Sequence, residues 1–393
     1  MKISVVNFSC RPESGSEWGV GWNFLLFYSE TFDEVRLYIR DAEDQVRRTQ
    51  ERLTELNISN CTIIPVADFN PFKFSYRGRY EIINYFIWLR KVLLILIIRR
   101  DWRHSDFISQ PTWVSDWNWS PILFLPYKRK VFGPLGSQPQ NFVNRKKGPI
   151  SRIRQLVKVI LRLNPVLFLN AAVSDHIING VKSSADKFPW CIFKNKILNI
   201  PSVHSEFPPE ICLNNTQDNN LEIFFVGKYL DFKNIELFCE ICRYALKKNN
   251  NLNVSFFGDR INGNRTVENL SYDYPDRVKE YGSISHDDLK KKLLETKSIL
   301  LQTAAEHGGT ISVEAVALSV PIICCKSMGI DAMLVDDYPL TFSATSKDIP
   351  HDVWEMIEKV DGNYEQWQEY SLSLAELFSR ERTISILKQA LRT

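Results

Sequence analysis

Several signals are scarce in this 393-residue chain, and each scarcity closes off a class of function. The formal charge is only +3, from 49 Lys and Arg against 46 Asp and Glu. So small a surplus does not imply a nucleic-acid partner. Cys239-x-x-Cys242 has no second Cys or His pair at zinc spacing, and its thiols are read as packing inside a helix. No cluster of Asp and His announces a metal site. Gly15, Gly19 and Gly21 do not fit the dinucleotide fingerprint, because their spacing is wrong for a pyrophosphate turn. No apolar run is both long enough and free enough of charge to span a bilayer. The nearest, residues 82–98, carries Arg90 and Lys91 at its middle. That run is read either as a buried core helix or as a helix lying on a membrane surface. No secretory signal is recognised, since Met1-Lys2 leads straight into an apolar strand. The eight cysteines are therefore expected to be reduced and the protein cytoplasmic. No internal repeat is visible.

What is present is ordinary in bulk and uneven in detail. A hydrophobic fraction of 44% with 24% charged residues is that of a globular chain, long enough for two cores. Seven basic residues and no acidic one lie between Phe142 and Ser174. Within that stretch residues 150–163 read as a basic amphipathic helix, either resting on an anionic membrane or covering a sheet with a solvated charged face. Trp113, Trp117 and Trp119 sit among prolines in an irregular loop, placed to stack on sugar rings, to dip into lipid headgroups or to pack over the end of a sheet.

Short apolar runs alternate with helical patterns along the whole chain. Strands are expected at 2–8, 35–39, 62–66, 107–109, 130–132 and 166–170. After a break rich in proline and asparagine, at 199–220, more are expected at 222–226, 254–257, 298–301 and 321–325. Helices are expected at 17–28, 235–246, 287–295 and 312–318, with a helical tail from 364 to 391. The fold class is α/β, with two doubly wound, Rossmann-like domains. We place them at 1–200 and 201–375, with a last helix at 376–393.

The densest signal is residues 306–314, E-H-G-G-T-I-S-V-E. Gly308 and Gly309 permit a tight turn and close approach of a ligand to the backbone. Thr310 or Ser312 can cap the helix that follows, whose free N–H groups and dipole suit an anion such as a diphosphate. Glu306 precedes that anion site and Glu314 follows it, so each can accept hydrogen bonds from hydroxyls at one end of a diphosphate-linked ligand. That arrangement fits a nucleotide-sugar. Lys228 and Lys233 follow the first strand of the second domain and can reach phosphate oxygens as point charges. His307 is an extra polar group that either faces solvent or tunes the choice of donor.

The same stretch resembles the paired-glutamate loop of the retaining GT-B glycosyltransferases of the family-4 type (glycosyltransferase group 1). The resemblance extends to F-V-G-K-Y-L-D-F-K-N at 225–234, to Y-G-S-I-S at 281–285, to G-S-E-W-G-V-G-W at 15–22 and to G-P-L-G at 133–136. It implies two Rossmann-like domains facing a central cleft, with a C-terminal helix crossing back to the first. It assigns Glu314 to the ribose hydroxyls and Glu306 to the donor sugar. Backbone N–H groups of Gly308, Gly309 and Thr310 are assigned to the diphosphate or sugar, and Gly227, Gly258 and Ile284 to the nucleotide side. Lys228 and Lys233 are expected to stabilise the leaving diphosphate, with Glu306 making the catalytic set. Gly15, Ser16 and Glu17 form the expected acceptor-side loop.

Two departures stand out. Lys228 replaces the family's usual Arg, and the strand end at 107–112 lacks the family's His, so either Ser109 and Gln110 supply the hydrogen bonds there or activity is weakened. The resemblance implies a nucleotide-diphosphate sugar as donor, no cofactor and no metal. It further implies a polyprenyl-diphosphate-linked or other lipid-linked glycan as acceptor, in O-antigen or capsule assembly, at an anionic membrane surface. Two other readings fit the same residues: a non-catalytic partner that binds a sugar nucleotide or glycan, and a sugar-nucleotide epimerase on the same fold.

Overall fold

The computed structural model describes residues 1–12, 16–42, 44–68, 81–114, 118–135, 165–181, 190–204, 220–229, 233–259, 265–303, 309–333, 335 and 337–392. Chain contacts divide them into two units. The first comprises Met1–Ser137, Lys147–Val203 and Arg380–Thr393, and the second contains His204–Ser379. The basic stretch at 150–163, Trp117, Gly15, Glu306, His307 and Gly308 lie outside the described residues.

In the first unit, strands β1 (Lys2–Asn7), β2 (Glu34–Asp41), β3 (Cys61–Ala67), β4 (Phe107–Gln110), β5 (Arg129–Leu135), β6 (His176–Asn179) and β7 (Ile197–Asn199) form one sheet in the order β3-β2-β1-β4-β5-β6-β7. Every neighbouring pair in it is parallel. The inner strands are covered on both faces, which is why burial along β1 and β4 is continuous and does not alternate. Helices α1 (Ser16–Thr31), α2 (Gln45–Glu55) and α3 (Glu81–Arg99) belong to the same unit. The inward side of α3, with Tyr85, Trp88, Leu89, Val92 and Leu96, packs on Val6, Phe8 and Ile108 of the sheet side. Among the described residues, no helix is long and apolar enough to cross a membrane.

One expected strand is a helix. Residues 166–170 belong to α4 (Pro165–Val173), and the strand is the next apolar run, β6. A short apolar run does not distinguish a strand from a buried helix by periodicity. The deciding features are Pro165, which suits the first turn of a helix, and the buried set Leu167, Asn170 and Ala171, spaced as on one helical face.

The second unit holds β8 (Leu221–Val226), β9 (Leu252–Phe257), β10 (Val278–Gly282), β11 (Lys297–Gln302), β12 (Ile322–Cys325) and β13 (Thr341–Phe342), in the order β10-β9-β8-β11-β12-β13. It too is wholly parallel. Its helices are α5 (Ile235–Lys248), α6 (Thr266–Asp273), α7 (His286–Glu295), α8 (Thr310–Ala317), α9 (Ile349–Gly362) and α10 (Tyr364–Ala375). Cys239 and Cys242 are fully buried on α5, and burial pushes the Cys239 thiol up to about 12. They pack, as the sequence suggests.

The tail then returns to the first unit. Helix α11 (Arg380–Arg392) lies on α1, where Ile384, Leu387 and Leu391 join the cluster of Phe24, Phe27 and Tyr28, and Arg380 pairs with Glu30.

Candidate functional site

Both sheets reverse their strand order at one place, and in a doubly wound sheet that place is where ligands bind, beyond the carboxyl ends of the strands. In the second unit the reversal falls between β8 and β11. Three neighbouring strands there end in glycines with positive φ: Gly227 at +133°, Gly258 at +129° and Gly282 at +67°. Gly227 N–H donates to the Phe257 carbonyl at 2.8 Å, and Gly258 N–H to the Gly282 carbonyl at 2.8 Å. A Cβ on Gly258 would lie 2.2 Å from the Gly227 carbonyl oxygen, so no side chain fits at this step. The chain therefore stays thin and open over the strand ends.

Two helices start on either side of the reversal without help from a side chain. Asn234, in the left-handed region, caps α5 with no side-chain hydrogen bond, and Gly309 caps α8 likewise. Ser312 does not take the capping role open to it. It is buried and accepts from Gln302 Nε2 at 2.8 Å, while Thr310 is already the first helical residue. The hydroxyl of Thr303, at the end of β11, donates to the Lys233 carbonyl at 3.0 Å and lies 3.3 Å from that of Asn234. One side chain thus ties the loop after β8 to the loop after β11. Lys233 folds back so that its Nζ would stand 3.5 Å from a Cβ on Gly227. Lys228 is exposed, and the adjoining Tyr229 is buried with its hydroxyl donating to Glu280 at 3.0 Å.

Glu314, in the middle of α8, is 12% exposed. Burial raises its carboxyl to about 7, opposed in part by Lys290. Its Oε1 lies 3.2 Å from Nδ1 of His286, at the start of α7. The imidazole is itself shifted down, first by burial and then by Lys290. Ile284 is half-buried beside Ser285, whose hydroxyl caps α7 by accepting from Asp288 N at 3.1 Å. Ser283 donates to Asp259 at 2.7 Å and so joins the loops after β9 and β10.

The structure thus brings Gly227, Lys228, Lys233, Gly258, Ile284, Gly309, Thr310 and Glu314 to the carboxyl end of one sheet. His286 and Thr303 were not foreseen. No local motif marks either, because each matters through a partner distant in sequence.

The corresponding end of the first unit is built differently. Thr112 Oγ1 accepts from Phe8 N at 3.0 Å and donates to Asn7 Oδ1 at 2.7 Å. Glu17, on the first turn of α1 after Ser16, accepts the Trp113 backbone N–H at 3.2 Å. Trp113 packs on Phe8 and stacks on Tyr85, whereas Trp119 is 48% exposed. Ser109 and Gln110 depart from expectation. Both are buried, Ser109 against Tyr28 OH at 2.8 Å and Gln110 between Tyr85 OH and Ser120 Oγ. Their position on β4, fully inside the sheet, directs them to internal partners and not to a ligand.

Residues 213–370 match the family described as glycosyl transferases group 1. No curated protein matches the chain by sequence. Solved structures resemble it along its full length. TarM of S. aureus, in complex with fondaparinux, alpha-GlcNAc-glycerol and UDP, is 10% identical with a TM-score of 0.65, covering 100% of both chains. HepE of Anabaena, in complex with UDP and glucose, is 14% identical with a TM-score of 0.59, over 100% of this chain and 99% of that one. The lipopolysaccharide outer core galactosyltransferase WaaB is 10% identical with a TM-score of 0.60, over 100% and 99%. These likenesses establish the GT-B fold.

Proposed function

For this glycosyltransferase, whose group 1 domain lies within a GT-B fold, we propose retaining transfer of a hexose or deoxyhexose from a nucleotide-diphosphate sugar to a lipid-linked glycan. The observation that carries the reading is Glu314: an almost buried carboxyl at the end of the second sheet, 3.2 Å from His286 and itself on a helix whose start has no side-chain cap. A carboxylate so placed accepts the two hydroxyls of a ribose, while the N–H groups around Gly309 and Thr310 face the diphosphate. Gly227 and Gly258 leave room for the nucleotide, and Ile284 lies beside its base.

In the reaction the bond from the anomeric carbon to the diphosphate oxygen breaks, and a bond from that carbon to an acceptor hydroxyl forms on the same face. The hydroxyl proton passes to the leaving phosphate. Lys228, Lys233 and the start of α8 stabilise the charge that develops there, which is the largest kind of contribution in such chemistry. Glu306 holds the donor sugar. These cations suffice without a metal, so turnover in EDTA is expected to match turnover with magnesium.

UDP in the HepE and TarM complexes supports a nucleotide-diphosphate donor, and the WaaB likeness supports a cell-surface glycan as the product. A lipid-linked acceptor of the O-antigen or capsule kind places the enzyme peripherally on the inner face of a bacterial cytoplasmic membrane.

The test is a thermal-shift panel with UDP, GDP, dTDP and CMP on wild type and on Glu314→Ala. A diphosphate at a hundred times its dissociation constant adds about 2.7 kcal/mol to stability. One diphosphate should stabilise the wild type and lose most of its effect in the variant. Indifference to all four would overturn the donor reading.

A further inference from the structure

Helix α3 is apolar on the side that packs and apolar again on the side that does not. Six residues on its outer side, Ile82, Ile83, Phe86, Leu94, Ile97 and Ile98, are between 38% and 79% exposed. At helical spacing they form a stripe about 24 Å long that covers nearly half of the helix circumference. Arg90 is exposed in the middle of the stripe, and Arg99, Arg100 and Arg103 are exposed at its end. Those four arginines make no ion pair among the described residues. Asp101, the acid that follows Arg99 and Arg100 in the chain, is fully buried and turned inward, where it pairs with Arg36 and accepts from Tyr38 and Tyr127.

We propose that the outer face of α3 docks this protein on an anionic lipid surface, the apolar stripe entering the headgroup boundary and the arginines meeting lipid phosphates. A helix with this pattern lies in the plane of the interface and does not span it. Arginine stems reach along apolar surface while the guanidinium stays with the charged headgroups, so Arg90 fits within the stripe. A second copy of the chain fits poorly, because a twofold contact through the stripe would bring basic groups against basic groups. Docking also requires that the helix be held firmly from behind. It is: Trp88 Nε1 donates to the Val66 carbonyl at 3.3 Å, and Tyr85 stacks on Trp113 with ring centroids 5.4 Å apart. This surface gives a partner to the reading of a membrane-held acceptor and rests on that reading for its purpose. Vesicle binding needs no turnover, however, so either idea can fail alone.

The test is flotation of the full-length protein with vesicles of phosphatidylcholine alone, or with about 30% phosphatidylglycerol. Wild type should float with the anionic vesicles and far less with the neutral ones. Ile83→Ser/Leu94→Ser/Ile98→Ser should reduce binding roughly tenfold or more. Arg90→Glu/Arg99→Glu/Arg103→Glu should abolish the preference for anionic lipid. Ile83→Leu/Leu94→Ile/Ile98→Leu, which keeps the apolar face, should bind as wild type does. An unchanged melting temperature and an unchanged nucleotide shift show that each variant is folded. Equal flotation with both lipids, or a serine variant that floats like wild type, would overturn the proposal. So would a wild-type dimer that the serine variant converts to a monomer, since the stripe would then be the seat of a second copy.

Discussion

The two sheets of this molecule share a topology and treat its most useful place in opposite ways. Each reverses its strand order once and gathers loops at that reversal. In the first unit the place is filled by side chains: Asn7, Thr112, Ser109 and Gln110 bond to one another's neighbourhood and to Tyr28, Tyr85 and Ser120. In the second unit it is kept open by Gly227, Gly258 and Gly282, and the polar groups offered are backbone amides at two helix starts. Side chains that satisfy each other make a rigid floor. Glycines and helix starts make a receptacle, and only the second arrangement suits a charged, flexible diphosphate.

The sharpest way to break this contrast is to give the open end a side chain. Gly258→Val adds a branched group to a position at φ +129° with a carbonyl 2.2 Å from its Cβ. Denaturant melts should show a loss of about 3 kcal/mol or more. A variant as stable as wild type would mean that the strand ends are not tightly apposed.

Next in size is Lys233→Ala. Loss of a charge-assisted contact to phosphate should lower kcat/KM roughly thirtyfold, about 2 kcal/mol, with turnover measured under donor-limited conditions. An unchanged kcat/KM would remove Lys233 from the donor site.

The raised carboxyl of Glu314 gives a smaller, pH-dependent effect. A carboxyl raised to about 7 binds its proton more readily in the folded chain than in the unfolded one. Its contribution to stability is therefore greatest at acid pH and falls as pH rises from the ordinary carboxylate range through 7. Donor affinity runs the other way, because the ionised carboxylate is the better acceptor for ribose hydroxyls. Calorimetric titration with the nucleoside diphosphate should show affinity rising up to about tenfold from pH 6 to pH 8 in the part that Glu314→Gln abolishes. The ligand's own ionisation is common to both proteins and cancels. A pH profile identical in the two would disconnect Glu314 from the ribose.

Smallest is Ser109→Ala, which should cost about 1 kcal/mol in stability through the lost bond to Tyr28 and leave the acceptor KM where it was. A raised KM with no loss of stability would restore Ser109 to the acceptor side.

Much of this contrast can be read in the sequence, and the unreadable part has a physical cause. Strands covered on both faces, such as β1, β8 and β11, declare themselves as apolar runs, and glycines after them mark the turns. Strand β10 was missed because it is an edge strand, with alternate residues exposed, and so carries no apolar run. Residues 166–170 were misread because four apolar residues in a row fit a helix as well as a strand. Glu314 was found through its neighbours in sequence; its partner His286 sits on another helix and is visible only once the sheet sets the two side by side. Ser109 and Gln110 point to the ligand in the sequence only because they stand where the resembled family has a His. The sequence does not show that Tyr28 and Tyr85 reach them first.

The return of α11 to the first unit has a consequence for how the chain is made. The cluster around Phe24, Phe27 and Tyr28 is completed by Ile384, Leu387 and Leu391, which leave the ribosome only after the whole second unit. At about 5–20 residues per second, α1 waits some ten seconds or more, while the whole second unit is synthesised, with an uncovered apolar side. The first unit is thus early in the message and late to mature. Nascent chains arrested before residue 380 should be sensitive to protease in α1 and should become resistant once α11 has emerged.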